Sequence, residues 1–266
     1  MRIFCLVLLL WPLTLAPQAH AQPIEVDLEL VLLVDVSRSM TERELEIQRR
    51  GYAEALRNPE VFAAIQTGFL QRIALTYIEW AGAQEVIVDW RIIETQDDLN
   101  SFADALTVRF DPTLRRTSIS EALLFGAEQL ATNNVDGLRQ VIDISGDGPN
   151  NQGRGVVFGR NTVVDQGITI NGLPLMTREG LGQQWHLDDL DIYYQTCVIG
   201  GAGAFVIPVL EWEDFADAVK RKLILEIADL SPAPLPIPAQ NLERDPTDCR
   251  IGEKIWEDRA RGWALP

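Results

Sequence analysis

The chain has little histidine and cysteine, and each shortage argues against a kind of chemistry. Its 266 residues include 2 histidines and 3 cysteines. No C-x-x-C pair occurs, so the ligand spacing of a structural zinc site is missing. No G-x-S-x-G elbow occurs either, and His186 is the single histidine after residue 21. A serine hydrolase is therefore not expected.

Basic charge is scarce as well. Lysine and arginine together number 23 against 39 acidic residues, which gives a formal net charge of −16. Such a surface repels nucleic acid and anionic lipid and favours cations or basic partners. We therefore expect no nucleic-acid partner. The alternative is that the acidity serves the solubility of an exported protein, which explains most of the excess.

The apolar stretch most like a targeting or membrane segment lies in the first residues. Arg2 precedes a broken apolar stretch, 3–15, and Ala19-His20-Ala21 has the small-x-small pattern of a cleavage site. The stretch is too short for a spanning helix, and no later segment approaches the roughly 20 apolar residues that a span requires. We predict a signal peptide at 1–21, cleavage near Ala21, and a periplasmic or secreted protein without a membrane span.

Two cysteines, Cys197 and Cys249, remain after residue 21. Two cysteines in an oxidising compartment indicate one disulfide, which would tie the end of the chain to its body. The alternative is a pair of unreactive thiols.

The most informative stretch is 28–40, LELVLLVDVSRSM. Its apolar run predicts a strand buried on both faces. Directly after it, Asp35, Ser37 and Ser39 place three oxygen side chains on alternate residues. Magnesium and calcium prefer oxygen ligands, and open α/β sheets bind ligands at the carboxyl ends of their strands. The stretch is therefore a candidate metal loop.

Strands and helices alternate along the rest of the chain, which indicates an α/β fold. Only five residues separate the strands predicted at 72–80 and 86–93, so these two must be antiparallel. Asp143 lies inside the apolar strand 138–145, where a charge must be paired. Further strands are predicted at 168–173 and 204–210. Helices are predicted at 42–57 (with Thr41 and Glu44 as a capping pair), 61–66, 98–106, 160–166, 187–196 and 213–227, and one more follows the loop 115–123 and ends near Leu130.

The D-x-S-x-S pattern at 35–39 resembles the signature of von Willebrand factor A domains, where it begins a metal-ion-dependent adhesion site. Thr117, with Ala122-Leu123 at the expected offset, resembles the family's second metal-binding loop. The pair Asp147-Gly148 resembles its third. The resemblance implies a Rossmann-like α/β fold with a six-stranded, mostly parallel sheet, one antiparallel edge strand and helices on both faces. It also implies one Mg²⁺, with Mn²⁺ or Ca²⁺ as alternatives, held by Asp35, Ser37, Ser39, Thr117 and Asp147.

The chain departs from the family pattern at Arg116, where a glycine is usual. This exchange can change the loop that carries Thr117. Threonine and serine also favour helix N-caps, so Thr117 and Ser118 have a capping role as the alternative to metal ligation.

Four further motifs resemble a narrower, bacterial family of exported von Willebrand A-like proteins without an assigned function. They are E-W-A-G at 79–82, V-I-D-I-S-G-D-G at 141–148, G-I-T-I-N-G-L-P at 167–174 and C-V-I-G-G at 197–201. We predict this domain at 22–229. Residues 230–266 are predicted to be a proline-rich linker, 231–239, followed by a C-terminal strap held by Cys249; a free interaction tail is the competing interpretation.

The resemblance implies a binding module and not an enzyme: the metal ion would ligate an exposed Asp or Glu of an unknown protein partner. One alternative keeps the fold without a metal, with the Arg116 guanidinium in place of the cation. The other is a Mg²⁺-dependent hydrolase of the phosphoaspartyl type, which is disfavoured because Ser37 stands where that chemistry needs a second aspartate.

Overall fold

A central sheet with helices on both faces forms the protein. The computed structural model describes residues 22–106, 116–177, 187–230, 232 and 247–263. The predicted signal peptide, 1–21, and nearly all of the predicted linker lie outside the described residues. In chain order the elements are β1 (Ile24–Val26), β2 (Leu28–Asp35), α1 (Glu42–Arg57), α2 (Pro59–Ile65), β3 (Ile73–Trp80), β4 (Gln84–Ile93), α3 (Gln96–Leu106), α4 (Ile119–Thr132), β5 (Val135–Gly137), β6 (Gln140–Gly146), α5 (Val156–Val164), β7 (Thr169–Pro174), α6 (Leu190–Tyr193), α7 (Phe215–Ile227) and α8 (Ile251–Trp263).

Within the described residues the main sheet has five strands, in the order β4-β3-β2-β6-β7. β2 is central and is buried along its whole length, as expected for an apolar strand with parallel neighbours on both sides. β2 pairs in parallel with β3 and β6, and β6 with β7, whereas β3 and β4 are antiparallel. The predicted mostly parallel sheet with one antiparallel edge strand is confirmed.

The prediction of a sixth strand at 204–210 is wrong in its extent. These residues run alongside β7 but meet it only in isolated bridges, at Val206 and Val209. Val209 N donates a hydrogen bond to Pro174 O at 3.0 Å. The ladder is interrupted there because Pro174 has no N–H to donate in return.

The side chains of β2 alternate between two cores. Leu30 and Leu32 pack in the cluster formed with α1, α2, α3 and α7. Val31 and Leu33 pack in the cluster formed with α4, α5 and α6. This alternation follows from the two-residue period of a strand, and it fixes which face of the sheet each helix covers.

The predicted start of α1 is confirmed. Thr41 N donates to Glu44 Oε2 at 2.6 Å, and Glu44 N donates to Thr41 Oγ1 at 3.3 Å, which is a capping box. The other carboxylate oxygen of Glu44 accepts from Trp212 Nε1 at 3.3 Å. Glu44 therefore fixes the helix that begins directly after the candidate metal loop.

Asp143 is paired, as predicted. Its Oδ1 lies 2.6 Å from Lys222 Nζ, and Lys222 also contacts Glu226 one turn further along α7. Asn171 Nδ2 donates to Glu226 Oε1 at 2.9 Å. Asp143, Lys222 and Glu226 are all buried, and we refer to these three as the buried ion cluster.

The sequence did not predict the strand pair β1–β5 or the helical form of the tail, α8. β1 and β5 have three residues each and pair in parallel, which is too short to show a period. Among the described residues, no helix has the length and apolar character needed to cross a membrane.

Candidate metal centre

Four of the five predicted metal-binding residues form one chain of hydrogen bonds. Ser37 N donates to Asp35 Oδ1 at 2.7 Å. Ser37 Oγ lies 2.9 Å from Ser39 Oγ, and Ser39 Oγ donates to Asp147 Oδ1 at 2.8 Å. The chain joins the loop after β2 to the loop after β6, because the carboxyl ends of adjacent parallel strands share one edge of the sheet.

The backbone at Asp35 is held from two sides. Val36 N donates to Trp80 O at 2.9 Å and so extends the pairing with β3. Gln48 Nε2, from α1, donates to Asp35 O at 2.8 Å. Asp35 itself is fully buried. Its carboxylate therefore has a fixed position at the end of the central strand.

Thr117 reaches the same edge through its backbone. Thr117 N donates to Asn151 Oδ1 at 3.0 Å, and Asn151 N donates to Thr117 O at 2.8 Å. The next residue, Ser118, donates from its N–H to Ala81 O at 3.0 Å. Thr117 thus lies between the loops that follow β3 and β6. Within the described part of the chain, its hydroxyl is not hydrogen-bonded to the other four predicted ligands.

Ser118 lies at the predicted helix cap, but its hydroxyl bonds elsewhere. Ser118 is the N-cap residue of α4, but its side chain makes no capping hydrogen bond within the described residues. Instead Ser118 Oγ donates to Gln152 O at 2.9 Å. The loop is therefore tied to the segment after β6 by both backbone and side chain.

Arg116 has a backbone conformation that favours glycine. Its φ angle is +76°, in the left-handed region that favours glycine. Its guanidinium carbon lies 3.4 Å from the centre of the Trp256 ring, on α8. No ion pair joins Arg116 to Asp35 or Asp147 among the described residues. The guanidinium therefore does not take the place of a cation between the two aspartates.

The two aspartates carry an unfavourable concentration of negative charge. Burial, and then the charge of Asp147, raise the pKa of Asp35 well above its usual range. Burial raises the pKa of Asp147 to about 6; the hydrogen bond from Ser39 lowers it and the charge of Glu44 raises it. Asp35 Oδ2 is buried and has no hydrogen-bond partner among the described residues.

These features fit a hard divalent cation. Both carboxylates are buried, and the charge of Asp147 raises the pKa of Asp35, so a positive charge between the two would stabilise them. Hydroxyl and carboxylate oxygens are the donors that Mg²⁺ accepts. The described residues contain no group of three or more His, Cys, Asp or Glu side chains suited to hold a metal, so a site here must rely on serine and threonine oxygens beside its two acids.

The outer wall of the centre is built from α6, the turn after it, and α8. Tyr193 OH accepts a hydrogen bond from Asn150 N at 3.1 Å, and Asn150 Nδ2 donates to Glu253 Oε1 at 2.8 Å. Cys197 and Cys249 form a disulfide with a Cα–Cα distance of 5.5 Å, in the pairing expected from the sequence. The tail is thereby attached beside the loops of the candidate centre.

The sheet order, the helices on both faces and the loop chemistry define a von Willebrand factor A-like fold. Residues 25–231 match the family described as "Protein of unknown function (DUF1194)". The chain belongs to this family. No curated protein matches the chain in sequence.

Solved structures share the fold at low sequence identity. Proximal thread matrix protein 1 from the mussel byssus has a TM-score of 0.56 and 12% identity over 79% of this chain and 49% of its own. A further structure of that byssus protein, with a TM-score of 0.53, 13% identity and coverage of 78% and 49%, is described as having a zinc-occupied MIDAS motif. The pilus adhesin SpaC from Lactobacillus rhamnosus GG has a TM-score of 0.55 and 13% identity over 80% and 31%.

The von Willebrand factor domain of the pilus tip protein Mfa5 from Porphyromonas gingivalis has a TM-score of 0.52 and 9% identity, over 81% of this chain and 99% of that one. By contrast, the chain spans only 49% of the byssus protein and 31% of the pilus adhesin. At these identities the likeness shows the fold alone.

Proposed function

We propose that this protein is an exported binding module that ligates an acidic group of a protein partner through one metal ion. Asp35, Ser37, Ser39, Thr117 and Asp147 would hold the ion. The observation that carries the proposal is the hydrogen-bond chain from Asp35 to Asp147, together with the buried Asp35 Oδ2 that lacks a partner among the described residues. When bound, Mg²⁺ would supply positive charge and an open coordination position for a partner's oxygen; Mn²⁺ and Ca²⁺ are the alternatives.

The residues of the chain define what kind of partner fits. A carboxylate is the hard oxygen donor that proteins most often offer to such ions. The net charge of −16 repels an acidic surface at longer range. We therefore expect a partner with one exposed Asp or Glu surrounded by basic residues. Binding of this kind makes and breaks no covalent bond, so the proposal does not include catalysis.

The structural neighbours support the proposal without establishing it. The byssus protein is described with zinc in its adhesion motif, and two neighbours are a pilus adhesin and a pilus tip protein. Metal binding and adhesion are properties of those proteins. For this chain they favour the binding hypothesis over a hydrolase, and they agree with the predicted export.

Calorimetric titration of residues 22–266 with MgCl₂ tests the proposal. We expect binding in the parent and none in Asp35→Asn or Asp147→Asn, because each exchange removes one of two carboxylates. Asp89→Asn is the matched control, because Asp89 is an exposed acid on the edge strand β4. In EDTA, where no metal is bound, neither Asp35→Asn nor Asp147→Asn should unfold more easily than the parent, since an amide relieves the repulsion between the two buried acids.

The partner chemistry is tested with Mn²⁺ in place of Mg²⁺. The relaxation of water protons reports water bound to Mn²⁺, and acetate should reduce it if a carboxylate enters the open position. Failure of the parent to bind Mg²⁺, Mn²⁺ or Ca²⁺ would overturn the metal mechanism. It would favour the alternative of a von Willebrand A-like scaffold without a bound metal.

A further inference from the structure

A second group of buried polar atoms lies directly beside Asp35, around Gly146. A methyl group on the Gly146 α-carbon would be 2.7 Å from Tyr194 OH and 2.9 Å from Asp35 Oδ2. The Trp80 ring would be 3.2 Å away. The tyrosine hydroxyl and the carboxylate oxygen thus face the same small space, which exists because residue 146 has no side chain.

The two oxygens are complementary, and each is buried without a hydrogen-bond partner within the described residues. A phenolic hydroxyl donates one hydrogen bond, and a carboxylate oxygen can accept two. A buried polar group without a partner costs free energy, so two such groups facing one another are best explained as a pair. A tyrosine hydroxyl carries its proton at neutral pH and is therefore available as the donor.

An irregular helical turn positions Tyr194 beside Gly146 and Asp35. α6 continues directly into a π-helical segment, Tyr194–Val198, in which Ile199 N donates to Tyr194 O at 3.0 Å. Such wide turns are rare and are frequently found at functional sites. The segment contains Cys197, which the disulfide anchors to Cys249. Tyr193, one residue before, accepts its hydrogen bond from Asn150, so consecutive tyrosines contact the two loops that carry Asp35 and Asp147.

We propose that Tyr194 is a positioning residue of the metal centre. Its hydroxyl hydrogen-bonds to Asp35 Oδ2, directly or through one bridging water, and holds the carboxylate in the orientation that serves the metal. The effect on metal affinity depends on the function proposed above, whereas the contact between Tyr194 and Asp35 does not.

The first test compares Tyr194→Phe with Tyr77→Phe. Tyr77 is a matched control because its hydroxyl is also buried and unpartnered among the described residues, but its charged neighbours are Glu79 and Arg49. Groups that orient a metal ligand change affinity about 10- to 100-fold when removed. We expect the Mg²⁺ dissociation constant to rise by about that factor in Tyr194→Phe and to stay unchanged in Tyr77→Phe. A change below about twofold in Tyr194→Phe would overturn the proposal.

The second test needs no metal. Urea unfolding in EDTA of the parent, Tyr194→Phe, Asp35→Ala and the double variant gives a double-mutant cycle. A buried hydrogen bond predicts a coupling of about fivefold in the unfolding equilibrium constant. Additive effects would contradict the contact. If the parent binds no metal, the proposed function fails, and this cycle still decides whether Tyr194 serves Asp35.

Discussion

Replacing Lys222 by methionine removes the single cation of the buried ion cluster and leaves two carboxylates behind. Methionine has a similar length and flexibility, so the packing loss is small. The electrostatic loss is large, because Lys222 Nζ lies 2.6 Å from Asp143 Oδ1 and also contacts Glu226. Breaking a buried ion pair by removing one partner costs about 3–5 kcal/mol. We expect a loss of that size at pH 8.

The loss should depend on pH in a defined direction. Burial, and then the charge of Asp143, raise the pKa of Glu226 to about 7, and burial raises the pKa of Asp143. A carboxyl group with a raised pKa takes up its proton more readily in the folded state. Its contribution to stability is therefore complete at low pH and is lost as pH rises through about 7. Without Lys222 both pKa values rise further, so the cost should fall to about 1 kcal/mol at pH 5.

Urea unfolding followed by tryptophan fluorescence at pH 5 and pH 8 measures this difference. Lys220→Met is the matched control, because Lys220 is on the same helix but pairs with the exposed Asp217 and should change stability little. Adding Glu226→Gln to Lys222→Met should recover part of the loss. The reasoning would be refuted if Lys222→Met were as stable as the control at pH 8, or if its cost grew toward pH 5.

Three further predictions concern the metal centre and the tail. Gly146→Ala should weaken Mg²⁺ binding at least about tenfold in calorimetry, because the added methyl group would lie 2.7 Å from Tyr194 Oη and 2.9 Å from Asp35 Oδ2. Gly148→Ala is the control and should bind normally, because a methyl group there would have no atom within 4 Å. Mg²⁺ binding should be complete above pH 7 and weaken about tenfold by pH 5. The reason is that the metal needs ionised Asp147, and the pKa of Asp147 is raised to about 6. Equal affinities at both pH values would contradict this. Reducing Cys197–Cys249, or replacing both by serine, should cost about 4 kcal/mol in urea unfolding, because the bridge joins residues 52 positions apart and so restricts the unfolded chain. A loss below about 1 kcal/mol would contradict this loop-closure argument.

The part of the candidate site closest to the strands could be predicted from sequence. Asp35, Ser37 and Ser39 follow a buried strand directly, so their proximity is a local property of one loop. Asp147 could be added because parallel strands bring their carboxyl ends to one edge. The structure places all four in one hydrogen-bond chain, although their role in holding a metal stays a prediction.

The residues behind this chain could not be predicted, because their contacts cross elements. Tyr194 has the pattern of an ordinary core residue on a helix, and only the π-helical turn aims it at Asp35. Asn150 has the character of a turn residue in D-G-P-N-N. Its hydrogen bonds to Tyr193 and Glu253 depend on where distant segments pack. Helical periodicity predicts a buried face but not the atom that a side chain will meet.

Arg116 shows why the domain and its tail act together. A left-handed conformation costs roughly 1–2 kcal/mol for a residue with a side chain, and φ at Arg116 is +76°. A guanidinium over a tryptophan ring contributes about 0.5–2 kcal/mol, and that ring, Trp256, belongs to the tail helix. The two energies are of similar size, so arginine is tolerated where the family pattern has glycine because α8 is in place. α8 is attached in turn through Cys249 and through Glu253. A chain that ended before Cys249 would lose these contacts at once, and the loop that carries Thr117 would be left with the strain of Arg116 and without the ring that offsets it.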